Sequence, residues 1–531
     1  MVSITLNNNK VHTWKKYTNG YVKGYAFEGV TLLTEDEIYY RCSEAYSHNK
    51  LKEFLHELNG YFSIILSMGE RTILIADKLK TYPLFYFKTP EGYGVADLSD
   101  TVLAEISSAS LAPIAVKEYV SAGYVSENKT LLRDCLIVPT ASFVCIEEGH
   151  TTETRYYSQH LLVPIQETEA TRIASSLNPI LERVMQRMRQ VANGRTIVIP
   201  LSGGYDSRLI ACLCKKYEIP NVICYTYGIK GSPEIEISRK VAEKLSLPWF
   251  YVEYTSEKWA RLINSPLFEA YIRYGGNLNT IPHIQDLLAI SELLNNHSIP
   301  EGAMVVPGHT GDAIGGSHLP ARIKKNAIGK EIYEKYFEIN VLKRKYQKEI
   351  IAYLNETIAS YFPLHTEEDC LQAFHAWNIR TRQANFIINS VRAYELKGLD
   401  WYLPLWDNEF EQFWNAIPCQ RRIGSRLYTD YLFKEFFEPY GVNYYKPSSE
   451  VSLPLFIRIL RKIFPARERS LIKRRLSEIG LYAYPQDRNA LDIVGELIRR
   501  KEFNKENEYI SYSKPNSMCM KSLFYLSLLH K

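Results

Sequence analysis

The sequence lacks the features that mark several specialised classes of protein. Its nine cysteines include no Cys-x-x-Cys pair, which argues against a zinc site or a disulfide framework and favours a reducing, cytoplasmic location. It has no run of about 18 or more apolar residues and no apolar signal core at the N-terminus, so it predicts neither a membrane-spanning helix nor secretion. The formal net charge of +5 is small for a nucleic-acid-binding protein of 531 residues, and no nucleic-acid partner is expected.

What is present is a globular composition with two patterns of secondary structure. Hydrophobic residues make up 46% and charged residues 23% of the chain, and the length suggests roughly two to four domains. Through residue 160, runs of Ile, Leu, Phe and Tyr alternate with Gly and Pro turns, which predicts strands and hairpins. From Thr196 short apolar strands alternate with helices, which predicts a parallel sheet covered by helices. After about residue 320 the pattern is mostly helical.

The segment 202–207, Ser-Gly-Gly-Tyr-Asp-Ser, lies where a predicted strand passes into a predicted helix. Unpaired N–H groups at a helix N-terminus bind anions, glycines let the backbone approach a ligand, and Ser202 and Ser207 add hydroxyl donors. Asp206 suits a phosphate site only if a cation such as Mg²⁺ lies between carboxylate and phosphate. The alternative is an ordinary Gly-Gly turn with Ser or Asp as the helix N-cap. The P-loop signature G-x-x-x-x-G-K-[ST] is absent, which excludes a P-loop nucleotide site.

Two later loops extend this pattern. Tyr227 and Gly228 end the next predicted strand, and Asp312 lies in a glycine-rich loop, "GHTGDAIGG", after another strand. Ligands of open parallel sheets bind at the carboxyl ends of the strands, so these loops are expected beside segment 202–207. Asp206 and Asp312 could then share Mg²⁺ ions around one triphosphate.

The order of four motifs resembles the synthetase domain of the asparagine synthetase family, whose relatives include β-lactam synthetase and lasso-peptide cyclases. The first motif also resembles the pyrophosphate loop of N-type ATP pyrophosphatases. The motifs are "PLSGGYDSRL", "YGIKGSPE", "GHTGDAIGG" and "YLPLWDNEF". The segment "LNGYFSIILSMGERTILIADKLKTYPLFYF" resembles part of the N-terminal domain of the same family, so the resemblance covers roughly residues 1–450.

This resemblance implies an α/β and α+β fold with three parts. Residues 1–160 would form an Ntn-hydrolase-like αββα domain, a degenerate form of the class II glutamine amidotransferase domain. Residues 170–455 would form an ATP pyrophosphatase domain of the asparagine synthetase type, with a parallel sheet and a largely helical C-terminal part. Residues 456–531, beyond the resemblance, predict a basic helical C-terminal extension.

The resemblance also implies a reaction. ATP with Mg²⁺ would adenylate a substrate carboxylate with release of pyrophosphate, and ammonia or an amine would displace AMP to form an amide. Asp206 and Asp312 would bind Mg²⁺, and the backbones of Leu201 and Tyr227 would contact the adenine. The residues expected to bind ATP are Leu201, Ser202, Gly203, Gly204, Asp206, Ser207, Tyr227, Gly228 and Gly308.

Three residues are candidates for catalysis, each with a structural alternative. Lys446 lies where the family carries a lysine that would stabilise the leaving pyrophosphate, or it is an ordinary surface lysine. Arg392 matches the Arg of the family's Asp-Arg pair and would anchor the acceptor or brace helices. His309 stands where asparagine synthetase has a Glu, and would deprotonate an incoming amine or form a hydrogen bond within its loop. Asp407, in the family's Pro-x-x-Asp element, is expected to be structural.

The chain departs from the family at the N-terminus and after Asp312. The amidotransferase relatives begin Met-Cys and use that cysteine as the glutaminase nucleophile, whereas this sequence begins Met-Val-Ser and its first cysteine is Cys42. The N-terminal domain is therefore expected to be a scaffold without glutaminase chemistry. The amine would be free ammonia, ammonia from a separate glutaminase, or an amine on the substrate. Ala313 replaces an acidic residue of asparagine synthetase, which argues against aspartate as the substrate.

A basic segment in the C-terminal part of the chain is relevant to the choice of substrate. Segment 458–475 carries eight basic residues and one acidic residue, with Ile, Leu and Phe between them. It predicts a solvated helix face, or a patch that contacts an anionic substrate or, peripherally, a membrane surface. The first choice of carboxylate substrate is a uronic acid (a sugar acid). The second is a peptide, as in a lasso-type macrolactam cyclase, or another small metabolite, and the third is aspartate. A catalytically silent scaffold is the alternative from a different class.

Overall fold

The computed structural model of the chain describes residues 2–106, 108–158, 170–339, 341–445, 491–511 and 517–529. Helices and strands are mixed in these ranges, which confirms the predicted α/β class in its coarse form. None of the described helices is both long enough and apolar enough to cross a membrane. Lys446 and segment 458–475 lie outside the described residues.

Two stacked β-sheets make up the N-terminal part of the chain. Their strands are β1 (Val2–Thr5), β2 (Lys15–Tyr17), β3 (Gly20–Glu28), β4 (Thr31–Leu33), β5 (Asn59–Met68), β6 (Arg71–Ala76), β7 (Phe85–Thr89), β8 (Gly92–Ala96), β9 (Cys135–Ile137), β10 (Ser142–Glu147) and β11 (His150–Arg155). The larger sheet is antiparallel in the order β11-β10-β6-β5-β3-β2, and β4 also pairs with β3. The smaller sheet has the order β1-β8-β7-β9, in which β1 is parallel to β8.

Helices cover the outer faces of this pair of sheets. They are α1 (Glu35–Ser47), α2 (Leu51–Glu57) and α3 (Ser99–Glu105). Every second residue of β10 is buried, and Val144 and Ile146 fill the layer between the two sheets. Ile38 of α1 packs on the outer face of the larger sheet, and Val102 of α3 packs on the outer face of the smaller one. The layers therefore follow the order helix, sheet, sheet, helix.

A third sheet is parallel throughout and lies in the second part of the chain. Its strands are β12 (Ile197–Pro200), β13 (Val222–Gly228), β14 (Trp249–Glu253), β15 (Met304–Val305) and β16 (Asp400–Trp401). The order β14-β13-β12-β15-β16 puts β12 at the centre. Ile197, Val198 and Ile199 are fully buried, as expected for a strand covered on both faces.

The remaining helices cover this sheet or connect it to the N-terminal part. They are α4 (Pro113–Ala122), α5 (Ala170–Ala192), α6 (Asp206–Lys216), α7 (Pro233–Leu245), α8 (Ser256–Ile263), α9 (Pro266–Gly276), α10 (Gln285–Asn295), α11 (Gly311–Ile314), α12 (Ile328–Tyr336), α13 (Arg344–Ala359), α14 (Glu367–Trp377), α15 (Arg392–Leu396), α16 (Asn408–Ala416), α17 (Cys419–Arg422), α18 (Arg426–Leu432), α19 (Leu491–Arg499) and α20 (Ser517–Leu528). Short 3-10 turns and two π-helical segments (Asn378–Ile387 and Phe433–Phe437) interrupt the later helices.

The two helices described from the predicted C-terminal extension pack into the body of the protein. Helix α20 lies against α4 and α9, and α19 lies against α8. The fit of α20 is tight, since a Cβ atom on Gly276 would lie 2.1 Å from Cε2 of Tyr525. Cys519, Met520 and Leu523 of α20 are buried in the same hydrophobic core as the parallel sheet.

A buried ion pair joins the N-terminal sheets to the parallel-sheet part. The carboxylate of Asp407 accepts hydrogen bonds from Arg187 at 2.7 and 2.9 Å and from the Asn59 side-chain amide at 3.0 Å. The side chains of Arg187 and Asp407 are 0% and 1% exposed. The contact ties α5, the start of β5 and the N-terminus of α16 together, which is the structural role expected for Asp407.

We predict that Asp407→Asn destabilises the protein by about 3 kcal/mol or more, because it removes a charge that compensates the buried Arg187 guanidinium. The measurement is the free energy of unfolding from urea titrations followed by tryptophan fluorescence. Asp430→Asn is the matched control, since Asp430 forms an exposed ion pair with Arg426 and its loss should cost less than about 1 kcal/mol. Equal destabilisation by the two variants would contradict the role assigned to Asp407.

Candidate active site

The carboxyl ends of β12, β13 and β15 meet at one edge of the parallel sheet. The strands lie side by side, since Ile199 of β12 is paired with Cys224 of β13, and the Val306 N–H donates to the Val198 carbonyl at 2.8 Å. The three loops that leave these strands are therefore neighbours, as the sequence predicted for segment 202–207, Tyr227 with Gly228, and the loop that carries Asp312.

Segment 202–207 folds into a compact loop around the N-terminus of α6. The Ser202 N–H donates to Ser207 Oγ at 3.1 Å, and the Gly204 N–H donates to Ser202 Oγ at 3.1 Å. Tyr205 is at the N-cap position of α6 and makes no side-chain capping bond to the helix. An ordinary turn capped by Ser or Asp is thus not what the structure shows, and the geometry is that of a helix N-terminus able to accept an anion.

Close packing explains why the loops at this edge are rich in glycine. A Cβ atom on Gly308 would lie 2.4 Å from the backbone nitrogen of Ser207, and one on Gly203 would lie 3.0 Å from Cα of Glu234. Gly311 is equally confined, since its Cβ would lie 2.3 Å from the Tyr428 hydroxyl. The loops after β12 and β15 can approach each other this closely only without side chains.

Asp206 and Asp312, the two predicted metal ligands, are in direct contact. The Asp312 N–H donates to Oδ2 of Asp206 at 3.0 Å, and the Tyr428 hydroxyl donates to Oδ1 of Asp206 at 2.9 Å. Ser317 donates to Oδ2 of Asp312 at 3.1 Å. No group of three or more His, Cys, Asp or Glu side chains is placed for a metal ion within the described part of the chain. Carboxylate oxygens on two neighbouring aspartates are nevertheless ligands that suit Mg²⁺, which keeps several water or phosphate ligands.

The residues predicted to contact an adenine lie beside this loop. The Leu201 N–H is used within the sheet, where it donates to the Tyr225 carbonyl at 2.8 Å, and the Leu201 carbonyl accepts from Ser238 Oγ at 2.6 Å. Only the second lone pair of the Leu201 carbonyl is left for a ligand. The Tyr227 ring stacks on the Tyr254 ring with centroids 4.9 Å apart, which makes an aromatic wall next to Gly228.

His309 lies in the loop after β15, with Nε2 3.4 Å from Oγ of Ser390. Burial lowers the pKa of His309 to about 4, so the ring is neutral at pH 7. His283, which no sequence motif marks, has a pKa lowered to about 3 by burial and by the nearby His309 and Lys521. The Nδ1 atoms of His283 and His309 are buried and have no hydrogen-bond partner among the described residues.

Arg392 has the contacts of a bracing residue. Its guanidinium donates to Glu395 at 2.6 Å and to the carbonyl of Thr81 in the N-terminal part of the chain. Glu395 in turn accepts from Trp401 at 2.8 Å and from Tyr274 at 2.6 Å. These bonds favour the bracing alternative over an anchor for the acceptor.

Two contributors to the site escaped the sequence analysis. Arg208 is fully buried and donates to the carbonyls of Gly203 at 3.0 Å, Val442 at 2.9 Å and Tyr444. Arg208 directly follows segment 202–207 in the sequence, and this position could have marked it as part of the site. Tyr428 holds Asp206 from α18 and had no local signal, because more than two hundred residues separate the two side chains in the sequence.

We predict that Gly308→Ala destabilises the protein by about 1–3 kcal/mol, because the new methyl group would overlap the backbone of Ser207. Urea unfolding measures the change. Gly302→Asn serves as the control, since Gly302 has φ +69°, which Asn tolerates, and no atom lies within 4 Å of its Cβ position. If both variants have the same free energy of unfolding as the wild type, that result contradicts the close contact between the loops after β12 and β15.

We predict that His309 makes stability depend on pH. The pKa in the folded state lies below the ordinary 6.5, so the unfolded chain binds more protons as pH falls from about 6.5 to 4. The contribution of neutral His309 to the free energy of unfolding is therefore complete above pH 6.5 and is lost on acidification. Between about pH 7.5 and 5, the wild type should lose about 2 kcal/mol more than His309→Gln.

The measurement for His309 is the free energy of unfolding at both pH values. His150→Gln, which changes an exposed histidine, is the control and should follow the wild type. If the free energy of unfolding differs between the wild type and His309→Gln by the same amount at both pH values, that result contradicts a lowered pKa for His309.

The comparisons with known proteins cover the part of the chain that contains the parallel sheet. Residues 183–442 match the family model described as asparagine synthase. A probable asparagine synthetase (glutamine-hydrolysing) of Acanthamoeba polyphaga mimivirus is 27% identical over 201 residues. That alignment covers 36% of this chain and about a third, 34%, of the relative's own length.

Two solved structures share low similarity with the chain. The allosteric regulatory enzyme of purine biosynthesis is 12% identical, with 58% of this chain and 59% of the other covered and a TM-score of 0.18. The glutamine phosphoribosylpyrophosphate amidotransferase from B. subtilis, complexed with ADP and GMP, is 11% identical, with 62% and 61% covered and the same TM-score. These scores are too low to support a common fold.

The matched range, 183–442, begins within α5 and contains the central strand β12, segment 202–207 and both carboxylates. It ends shortly after Tyr428, which holds Asp206, and includes Asp407. Residues 183–442 are therefore similar to the asparagine synthase family, and the chain contains a domain of that type.

Proposed function

We propose that the protein is an ATP-dependent carbon–nitrogen ligase that activates a carboxylate and converts it to an amide. The observation that carries this proposal is the meeting of Asp206 and Asp312 beside the uncapped N-terminus of α6. A helix N-terminus with two neighbouring aspartates suits a polyphosphate bound together with a divalent cation, because the cation offsets repulsion between carboxylate and phosphate.

In the proposed first step, an oxygen of the substrate carboxylate attacks the α-phosphorus of ATP. The new P–O bond forms as the bond from the α-phosphorus to the bridging oxygen breaks, and pyrophosphate leaves. The backbone of Gly203 and Gly204 and the hydroxyls of Ser202 and Ser207 would hold the β- and γ-phosphates. Mg²⁺ held by Asp206 and Asp312 would supply positive charge to the phosphates. Leu201, Tyr227 and Gly228 would line the adenine side, with Gly308 closing the loop.

In the proposed second step, ammonia or an amine attacks the acyl carbon, loses a proton, and AMP leaves. A pKa of about 4 makes His309 a weak base, so the role we propose for it is to accept a hydrogen bond and position the amine. The buried Nδ1 of His309, which has no partner among the described residues, suits such a bond.

Lys446 remains our proposal for the cation that meets the leaving pyrophosphate. Support comes from Arg208, whose guanidinium bonds both the Gly203 carbonyl in the loop and the Tyr444 carbonyl. The described chain therefore reaches segment 202–207 two residues before Lys446. Burial lowers the pKa of Arg208 to about 10, which still leaves it charged at pH 7.

We propose that the N-terminal layers are an Ntn-hydrolase-like αββα domain, derived from a class II glutamine amidotransferase and acting as a scaffold. Burial raises the pKa of the Cys42 thiol, which disfavours it as a nucleophile. Ser3 Oγ lies on β1 and donates to the Tyr93 carbonyl oxygen at 3.5 Å, a contact that does not activate it as a nucleophile. The amine would then be free ammonia, ammonia released by a separate glutaminase, or an amine on the substrate.

The most specific part of the proposal is the identity of the carboxylate substrate. A uronic acid is the first choice, on the charge of segment 458–475, and a peptide closed into a macrolactam is the second. Replacement of an acidic residue by Ala313 places aspartate third. The described cysteines are all free thiols, which supports a reducing cytoplasm as the location. A peripheral membrane contact through segment 458–475 is part of the same proposal.

The test is exchange of radiolabelled pyrophosphate into ATP, measured with a panel of uronic acids, peptide acids and aspartate. We predict that one class of acid supports exchange, and that Asp206→Asn and Asp312→Asn each reduce it about a hundredfold or more, because charge stabilisation around the phosphates is lost. Asp36→Asn is the matched control, since Asp36 pairs with Lys15 on the exposed surface of the N-terminal part, and exchange should be unchanged.

Tight binding of ATP with Mg²⁺ but no exchange with any acid would contradict a ligase. Calorimetry that detects no binding of ATP with Mg²⁺ would instead favour the catalytically silent scaffold.

A further inference from the structure

A group of cationic and aromatic side chains lies next to Asp312 and outside segment 202–207. We call it the Tyr336 cluster, and it consists of His318, Lys335, Tyr336 and Arg382. Arg382 is on the π-helical segment Asn378–Ile387, a geometry that is frequent at functional sites. No sequence motif marks any of the four residues.

Direct contacts hold the cluster together. The His318 ring stacks on Tyr336 with centroids 5.8 Å apart, and its Nδ1 is 3.0 Å from the Tyr336 hydroxyl. The Arg382 guanidinium lies over the Tyr336 ring, 5.4 Å from the centroid. Lys335 Nζ donates to the His318 carbonyl at 2.6 Å. One aromatic ring thus places an arginine and an imidazole side by side, with a lysine at the edge.

Asp312 lies between this cluster and the proposed nucleotide loop. Its backbone N–H faces Asp206 of the loop, whereas its carboxylate accepts a bond from Ser317, the residue before His318. The cluster therefore adjoins Asp312, which also contacts segment 202–207. An acid held by the cluster would therefore lie beside the proposed nucleotide loop, as attack of its carboxylate on the α-phosphorus requires.

Within the described residues, the two cations of the cluster, Arg382 and Lys335, are not directly paired with a carboxylate, although Arg382 is half-buried. Burial and the neighbouring Arg382 lower the pKa of Lys335, and Glu331 acts in the opposite direction. Burial lowers the pKa of His318 to about 4, so this ring is a neutral hydrogen-bonding group. Two cations brought together in this way favour an anion between them.

We propose that Arg382 and Lys335 bind a second anionic group of the acid, so that the substrate carries a further carboxylate or a phosphate besides the carboxylate that is activated. This inference rests on the ligase function proposed above. It narrows the substrate class to acids with at least two negative charges, such as a phosphorylated uronic acid or a dicarboxylic acid. The planar guanidinium of Arg382 suits a bidentate contact with either group.

The experiment compares two matched pairs of acids: glucuronate with glucuronate 1-phosphate, and butyrate with glutarate. Pyrophosphate exchange gives KM and kcat for each acid, and calorimetry without ATP gives the Kd. We expect the doubly charged member of at least one pair to bind wild-type protein more tightly. Arg382→Gln and Lys335→Gln should each raise KM and Kd for that acid about tenfold or more, with little change in kcat.

Two controls isolate the second charge. The singly charged acid of the same pair should respond to Arg382→Gln less than about twofold, since the lost contact is to the added group. Lys330→Gln, on the same helix α12, changes an exposed lysine paired with Glu334 and should leave every constant unchanged. The KM for ATP and for pyrophosphate should also stay the same in Arg382→Gln.

Three outcomes would overturn the inference. They are equal binding of the doubly and singly charged acids by the wild type, equal loss for both acids in the variants, or a rise in KM or Kd for ATP or pyrophosphate rather than for the acid. The last result would assign the cluster to the nucleotide. The calorimetric arm needs no turnover, so it decides the inference even if no acid supports exchange and the ligase function itself fails.

Discussion

The site depends on one constraint, the position of the Asp206 carboxylate between two strand-end loops and α18. It accepts the Asp312 N–H on one oxygen and the Tyr428 hydroxyl on the other, so three segments distant in the sequence meet at one group. Parallel strands make this possible, because their carboxyl ends share an edge. Close approach then requires glycine at 308, where a Cβ atom would lie 2.4 Å from the Ser207 nitrogen.

The rest of the molecule keeps this edge in place. The buried pair of Arg187 and Asp407 joins α5 and α16 to the N-terminal sheets, and Arg392 adds a second bond across the same boundary through the Thr81 carbonyl. Helix α20 fills the space between α4 and α9 in one continuous core. The N-terminal layers therefore contribute to the frame of the site whether or not they have chemistry of their own.

Much of the fold could be predicted from local patterns. The strand before segment 202–207, the helix after it and the parallel sheet follow from apolar runs and glycine turns, and residues 183–442 match the asparagine synthase family model. The same patterns left the helix-cap alternative open, because Ser and Asp are common caps. The structure puts Tyr205 at that position without a capping bond. For Arg392, sequence could not choose between anchor and brace, since the choice depends on Glu395 and Thr81.

The sequence by itself determined which residues are candidates for the chemistry: the glycines and serines of one loop, two aspartates and a histidine, in an order typical of one family. Only the tertiary structure decided their environment. The low pKa of His309 arises from burial, the support of Asp206 comes from Tyr428, and the Tyr336 cluster joins residues from α12, a π-helical segment and the loop before them. Burial and long-range contacts are properties of the packed chain, and no local pattern encodes them.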